Sequence, residues 1–91
     1  MRQANTLEAR KVVRNILKDD LRKGFNSTWT DEGAEGRRVC MALDAWLSDE
    51  EANVLANELN FWMRLSGYTN KVAVTTGRRG RSYVRFAAQI A

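Results

Sequence analysis

Apolar residues recur at helical spacing in the first quarter of the chain. Residues 7–23 place apolar side chains three and four positions apart, and Asn5 with Glu8 has the form of a capping box at the start. Basic residues precede Gly24, which is the predicted end of the helix. This pattern predicts one amphipathic helix.

Residues 25–36 lack helical spacing of apolar residues, and after them apolar and polar residues alternate. Residues 25–36 contain three acids and two glycines, a composition typical of a loop. Phe25 and Trp29 are the exceptions, and we expect them to dock this loop onto the core. Residues 37–46 alternate between apolar and polar positions and therefore predict a strand.

The second half of the chain predicts a helix followed by a hairpin. Ser48 and Glu51 form a capping box that opens a helix over residues 48–66. Residues 71–76 and 81–90 alternate as strands on either side of a glycine-containing basic turn. The element order is therefore α-β-α-β-β, which is an α+β fold class.

The predicted architecture is a three-stranded sheet covered on one face by the helices. The β-α-β segment crosses over the sheet, and the long last strand fits best in the middle, giving the order 1-3-2. The order 1-2-3 is the alternative. A chain of 91 residues is expected to form one domain, residues 1–91.

The helix over residues 48–66 carries two apolar stripes. One is an ordinary core stripe, whereas Val54, Phe61 and Leu65 fall on nearly the opposite side. The first helix could cover this second stripe in a stack of sheet, helix and helix. Alternatively, the stripe makes a homodimer or docks on a partner protein.

Composition argues against an enzyme. The chain has no histidine and one cysteine, Cys40, so it lacks an imidazole base, a catalytic triad, an internal disulfide and an ordinary zinc site. We expect no cofactor and no metal. Apolar runs are too short to span a membrane, and no signal-peptide pattern is present, so a cytoplasmic location is expected.

Charge is divided unevenly along the chain. Residues 24–58 carry two basic and eight acidic side chains, whereas residues 59–91 carry six basic side chains and no acidic one. An anionic partner should therefore meet the last third of the chain. Lys11, Arg14, Lys18 and Arg22 on the first helix could extend that contact.

The sharpest local feature is a cluster of arginines between Gly77 and Ser82. Arginine has a planar fork that suits phosphate or carboxylate groups, and the flanking glycines let the backbone approach a ligand. The sheet face that follows adds further cations and one aromatic ring. The candidate binding residues are Arg78, Arg79, Arg81, Arg85, Lys71 and Tyr83.

Two functions follow from these features. The favoured one is a small non-enzymatic protein that binds an anionic partner through the basic hairpin and sheet face. Nucleic acid is the preferred partner, and an acidic protein surface is the second. The alternative is a small inhibitor or adaptor, of the kind made by phages and acting in the host cell, that blocks a larger protein. Its apolar anchor would be Val54, Phe61, Leu65 and Trp29, with the arginines as a rim.

Overall fold

The fold consists of helices on one side of an antiparallel sheet. A computed structural model describes residues 2–33, 36–77 and 80–87 of the chain. Within these residues the elements are α1 (Thr6–Asn15), which continues as a π-helical turn (Ile16–Asp20), β1 (Phe25–Gly33), β2 (Gly36–Leu43), α2 (Asp49–Leu65), β3 (Val72–Thr76) and β4 (Ser82–Ala87).

The sheet has four strands in the order β1-β2-β4-β3, and each neighbouring pair is antiparallel. The predicted α+β class is confirmed, but the prediction of a three-stranded sheet is wrong. The last strand does lie between the other two predicted strands, so β2 and β3 run parallel to each other with α2 as the crossover.

The additional strand is β1, which forms where the sequence predicted a loop. It pairs with β2 so that each acid of β1 faces an arginine, with Asp31 opposite Arg38 and Glu32 opposite Arg37. Both cross-strand pairs form ion pairs. Directly opposed charges of opposite sign stabilise an antiparallel pair, which explains why this polar segment is a strand.

Both helices pack on the same face of the sheet and share one hydrophobic core with it. The core joins side chains of α1 and α2 to Val39, Met41, Val84 and Phe86 of the sheet. Because the helices lie side by side on the sheet, α1 does not cover the second stripe of α2. Of the two alternatives that the sequence left open, the stack of sheet, helix and helix is therefore not formed, and the second stripe is exposed.

Of the three helix ends predicted above, the two N-termini are confirmed and the C-terminus at Gly24 is not. Both capping boxes are present, at Asn5 with Glu8 and at Ser48 with Glu51. The first helical segment, however, does not end at Gly24. The backbone turns at Arg22, which has a φ of 52°, a left-handed conformation that favours glycine.

Replacing Arg22 by glycine is therefore expected to stabilise the fold by about 0.5–1 kcal/mol, because glycine adopts this backbone conformation without steric cost. Thermal unfolding should show a melting temperature a few degrees higher. Lys23→Gly is the matched control, since Lys23 does not have a positive φ. An equal loss of stability in both variants would contradict the prediction.

Two asparagine side chains connect elements that are distant in sequence. Asn70 is buried, accepts a hydrogen bond from the Ala4 amide at 2.7 Å, and donates to the carbonyls of Ala4 and Ala87 at 3.2 and 3.0 Å. Asn60 of α2 accepts from the Val72 amide at 2.8 Å and donates to the Val72 carbonyl at 2.9 Å. The first fixes the segment before α1 to the end of β4, and the second fixes α2 to the start of β3.

Candidate nucleic-acid interface

The candidate site is the face of the sheet that no described helix covers. Side chains alternate between the two faces of each strand, so the residues between the core positions point to this open face. Together they form a surface of small, aromatic and cationic groups. Its members are Ser27, Trp29, Asp31, Arg38, Cys40, Ala42, Ala73, Thr75, Tyr83, Arg85 and Ala87.

Two aromatic rings and an arginine meet near the centre of the open face. Trp29 lies edge-on to Tyr83, with 6.0 Å between ring centroids and 81° between the ring planes. The Arg85 guanidinium lies 5.4 Å from the centre of the Tyr83 ring. Trp29 therefore does not dock onto the hydrophobic core as predicted, whereas Phe25 does pack against that core.

This aromatic cluster borders an open groove with a volume of about 570 Å³. The groove runs to the base of the basic hairpin, where the Gly77 amide donates to the Arg81 carbonyl at 2.7 Å. A Cβ at Gly77 would lie 2.2 Å from the Tyr83 ring. Glycine is therefore required for the hairpin to approach the aromatic cluster this closely.

A second groove, of about 500 Å³, lies on the other side of Arg85. Lys71 and Arg38 line it, while Arg81 lines the first groove, and both grooves share Thr75 and Arg85. The open face thus carries cations from the hairpin to the start of β3.

The acid described on this face is already paired. The Arg38 guanidinium donates to Asp31 through Nε at 2.8 Å and through Nη2 at 3.1 Å. These hydrogen bonds hold the pKa of Asp31 below its usual value. Asp31 therefore stays ionised and offsets Arg38, which leaves Lys71, Arg81 and Arg85 as the cations for an anionic ligand.

Cys40 lies beneath the aromatic cluster, and its side chain is buried. Burial raises the pKa of its thiol, and the Asp31 carboxylate raises it further. A protonated, inaccessible thiol is a poor nucleophile, so Cys40 serves here as a small packing residue.

The structure brings part of the predicted binding set together on one face. The residues that meet there are Arg81, Arg85, Lys71 and Tyr83. Arg78 and Arg79 lie outside the described residues. Sequence reasoning did not place Trp29 or Arg38 in this set.

The predicted protein-binding set is not assembled. Val54, Phe61 and Leu65 are exposed on α2, on the far side of the helix layer from the sheet, whereas Trp29 lies on the open sheet face. The structure therefore does not bring these four residues together on one surface.

The described residues show two further absences. No group of three or more His, Cys, Asp or Glu side chains among residues 2–33, 36–77 and 80–87 could hold a metal ion. None of the helices in that part of the chain is long and apolar enough to cross a membrane. Comparison with protein-family models, curated proteins and solved structures found no match.

Proposed function

We propose that this protein is a non-enzymatic nucleic-acid-binding protein that holds a single strand against the open face of its sheet. The observation that supports this proposal is the meeting of Trp29, Tyr83 and Arg85 beside the groove that leads to Arg81. Aromatic rings stack with bases, and arginine forks bind phosphate oxygens, so one surface offers partners for both parts of a nucleotide.

The aromatic cluster favours a single strand over a duplex. In a duplex the faces of the bases are already stacked on one another, so aromatic rings on an open sheet have no base to stack on. The basic hairpin alone could lie in the groove of a duplex. Such a mode would use Arg81 and leave Trp29 without a role.

An acidic protein surface is the other anionic partner that the arginines could bind. It would contact the same cations, and its binding would also weaken with salt. A requirement for aromatic stacking distinguishes nucleic acid from an acidic protein, because a carboxylate-rich surface does not need flat rings next to the cations that it binds. Trp29 is therefore the residue on which the proposal should be tested.

The inhibitor or adaptor hypothesis now has one supporting observation, the exposure of the α2 stripe. Its arginine rim is not next to that stripe, since Arg81 and Arg85 line the groove on the open sheet face. The groove beside Val54 is instead lined by Glu50, Glu51 and Glu58 together with one lysine. We therefore rank this function second.

Trp29→Ala is expected to weaken binding of a single-stranded oligonucleotide about tenfold, the value of one lost base-stacking contact. Fluorescence anisotropy with labelled single-stranded RNA, single-stranded DNA and duplex DNA would measure it. The matched control is Trp46→Ala, because Trp46 is exposed, follows β2 and lines neither groove. The control should bind as the unmodified protein does.

Two results would contradict the proposal. In the first, the unmodified protein binds no oligonucleotide at low salt. In the second, Trp29→Ala binds single strands as tightly as Trp46→Ala does. Tighter binding of duplex than of single strands, with no effect of Trp29→Ala, would assign the hairpin to a duplex groove instead.

A further inference from the structure

The outer side of α2 exposes three large apolar side chains in a row. Val54, Phe61 and Leu65 are 56%, 57% and 64% exposed. They lie within about 40° of one another around the helix axis, on the side opposite the core residues. This stripe is on the far side of the molecule from the open sheet face and plays no part in the proposed nucleic-acid interface.

One flank of this stripe carries a gradient of charge along the helix. Glu50, Asn57 and Arg64 follow one another at intervals of seven residues, so they form a line almost parallel to the helix axis. The line is acidic at its first position, neutral in the middle and basic at its last. Among the described residues, none of the three side chains has a hydrogen-bond or ion-pair partner.

We propose that the α2 stripe is the contact surface for a second copy of this chain, with the two α2 helices antiparallel about a two-fold axis. In an antiparallel pair the same flank of each helix faces its own copy. Glu50 then faces Arg64 of the second copy, and Arg64 faces its Glu50. Asn57 lies at the axis and faces Asn57 of the second copy.

The contacts on the Glu50 flank suit a symmetric partner, whereas on the other flank Glu58 comes next to Glu58 of the second copy, and this like-charge contact weakens the pair. Because the two helices run in opposite directions, the acidic end of each line meets the basic end of the other, which gives two ion pairs. An amide at a two-fold axis can donate to and accept from its own copy, because it has both an N–H₂ and a carbonyl group. A partner of another sequence would need a matching basic-to-acidic gradient, whereas a second copy of this chain has it by symmetry.

The area available indicates a weak dimer. Stable interfaces bury about 1,200–2,000 Å² in total, and one exposed face of a 17-residue helix provides less than this. We therefore expect association in the range of about 10 μM to 1 mM, rather than a permanent dimer. Sedimentation velocity and light scattering over that concentration range would detect it.

Charge reversal tests the geometry. Arg64→Glu and Glu50→Arg should each raise the dimer dissociation constant on the order of tenfold, because each places like charges opposite each other twice. The double variant, Glu50→Arg with Arg64→Glu, restores opposite charges and should return the dissociation constant towards its original value. Phe61→Asp should abolish the dimer but leave the fold intact, since Phe61 is exposed.

Three outcomes would overturn the proposal. The first is a protein that stays monomeric throughout the concentration range. The second is a dimer that the single reversals weaken and the double variant does not rescue. The third is a monomer that uses Phe61 to bind a different protein. Oligonucleotide binding by Phe61→Asp is measured in parallel, because the proposed nucleic-acid interface should keep its affinity whichever result is obtained.

Discussion

Neutralising Arg78, Arg79 and Arg81 together is expected to reduce the slope of log Kobs against log salt by about 2 for a single strand, since each lost phosphate contact removes about 0.7. At about 0.15 M salt this corresponds to an affinity loss on the order of 50-fold, because the electrostatic contribution disappears near 1 M salt. The reason is that, in the proposed function, these arginines bind phosphates and thereby release the counterions of those phosphates. Anisotropy titrations at four or five salt concentrations would give both quantities.

The matched control removes the same charge from the helix layer. Lys11, Arg14 and Lys18 are exposed on α1 and its π-helical turn, on the side of the molecule away from the open sheet face. Replacing these three by alanine should change the slope little, although the sequence had suggested that this helix extends the contact. An equal loss in both triple variants would mean that net charge, and not the hairpin, determines binding.

Asn70→Asp is expected to destabilise the fold by about 3–5 kcal/mol, which is a large part of the total for a chain of this size. The side-chain amide donates to two carbonyls, those of Ala4 and Ala87, in a buried position. A carboxylate there would place negative charge against both oxygens without a cation to offset it. Urea unfolding followed by circular dichroism would measure the loss.

Two controls separate this effect from a general cost of the substitution. Asn53→Asp introduces the same charge at an exposed position of α2 and should change stability by less than about 0.5 kcal/mol. The loss in Asn70→Asp should also become smaller in acid, where the introduced carboxyl group is protonated and can donate one hydrogen bond. Equal stability of the two variants at neutral pH would show that Asn70 does not hold the chain segments together.

The sequence predicted every element whose apolar residues recur at helical or strand spacing. It missed β1, which has no such apolar pattern. The two helices, β2 and the β3–β4 hairpin all pack an apolar row against the core. β1 is an edge strand with threonines, acids and only two large apolar residues, so its composition resembles a loop. One feature of the sequence could have revealed this strand. Two acids, Asp31 and Glu32, precede the glycines of the turn and two arginines, Arg37 and Arg38, follow them, so a hairpin would place each acid opposite an arginine.

The same error affected the candidate site. A loop over residues 25–36 leaves Trp29 without a sheet face, so the sequence groups it with the apolar residues of α2. Once β1 is a strand, pairing with Cys40 places Trp29 on the open face beside Tyr83. The cations Lys71, Arg81 and Arg85 could be placed from local alternation, because the hairpin fixes its own register.

The second stripe of α2 could be identified from sequence, but its environment could not. Helical spacing shows that Val54, Phe61 and Leu65 share a side. Whether another helix covers that side depends on how α1 packs, and several packings satisfy the apolar row of α1 equally well. In the structure α1 occupies the sheet next to α2, where it contributes to the same core.

The Asn60 side chain also affects how the sheet can aggregate. Its amide satisfies both backbone groups of Val72 that face away from β4, and so takes the place of a neighbouring strand at that position. An exposed strand edge is a template for adding another chain, and natural sheets protect such edges with charges, short strands or covering groups. β3 is short and is blocked at its first residue, whereas β1 has nine residues and is protected by its acidic side chains and by an irregularity near Phe25. Strand addition leading to fibrils would therefore begin at β1.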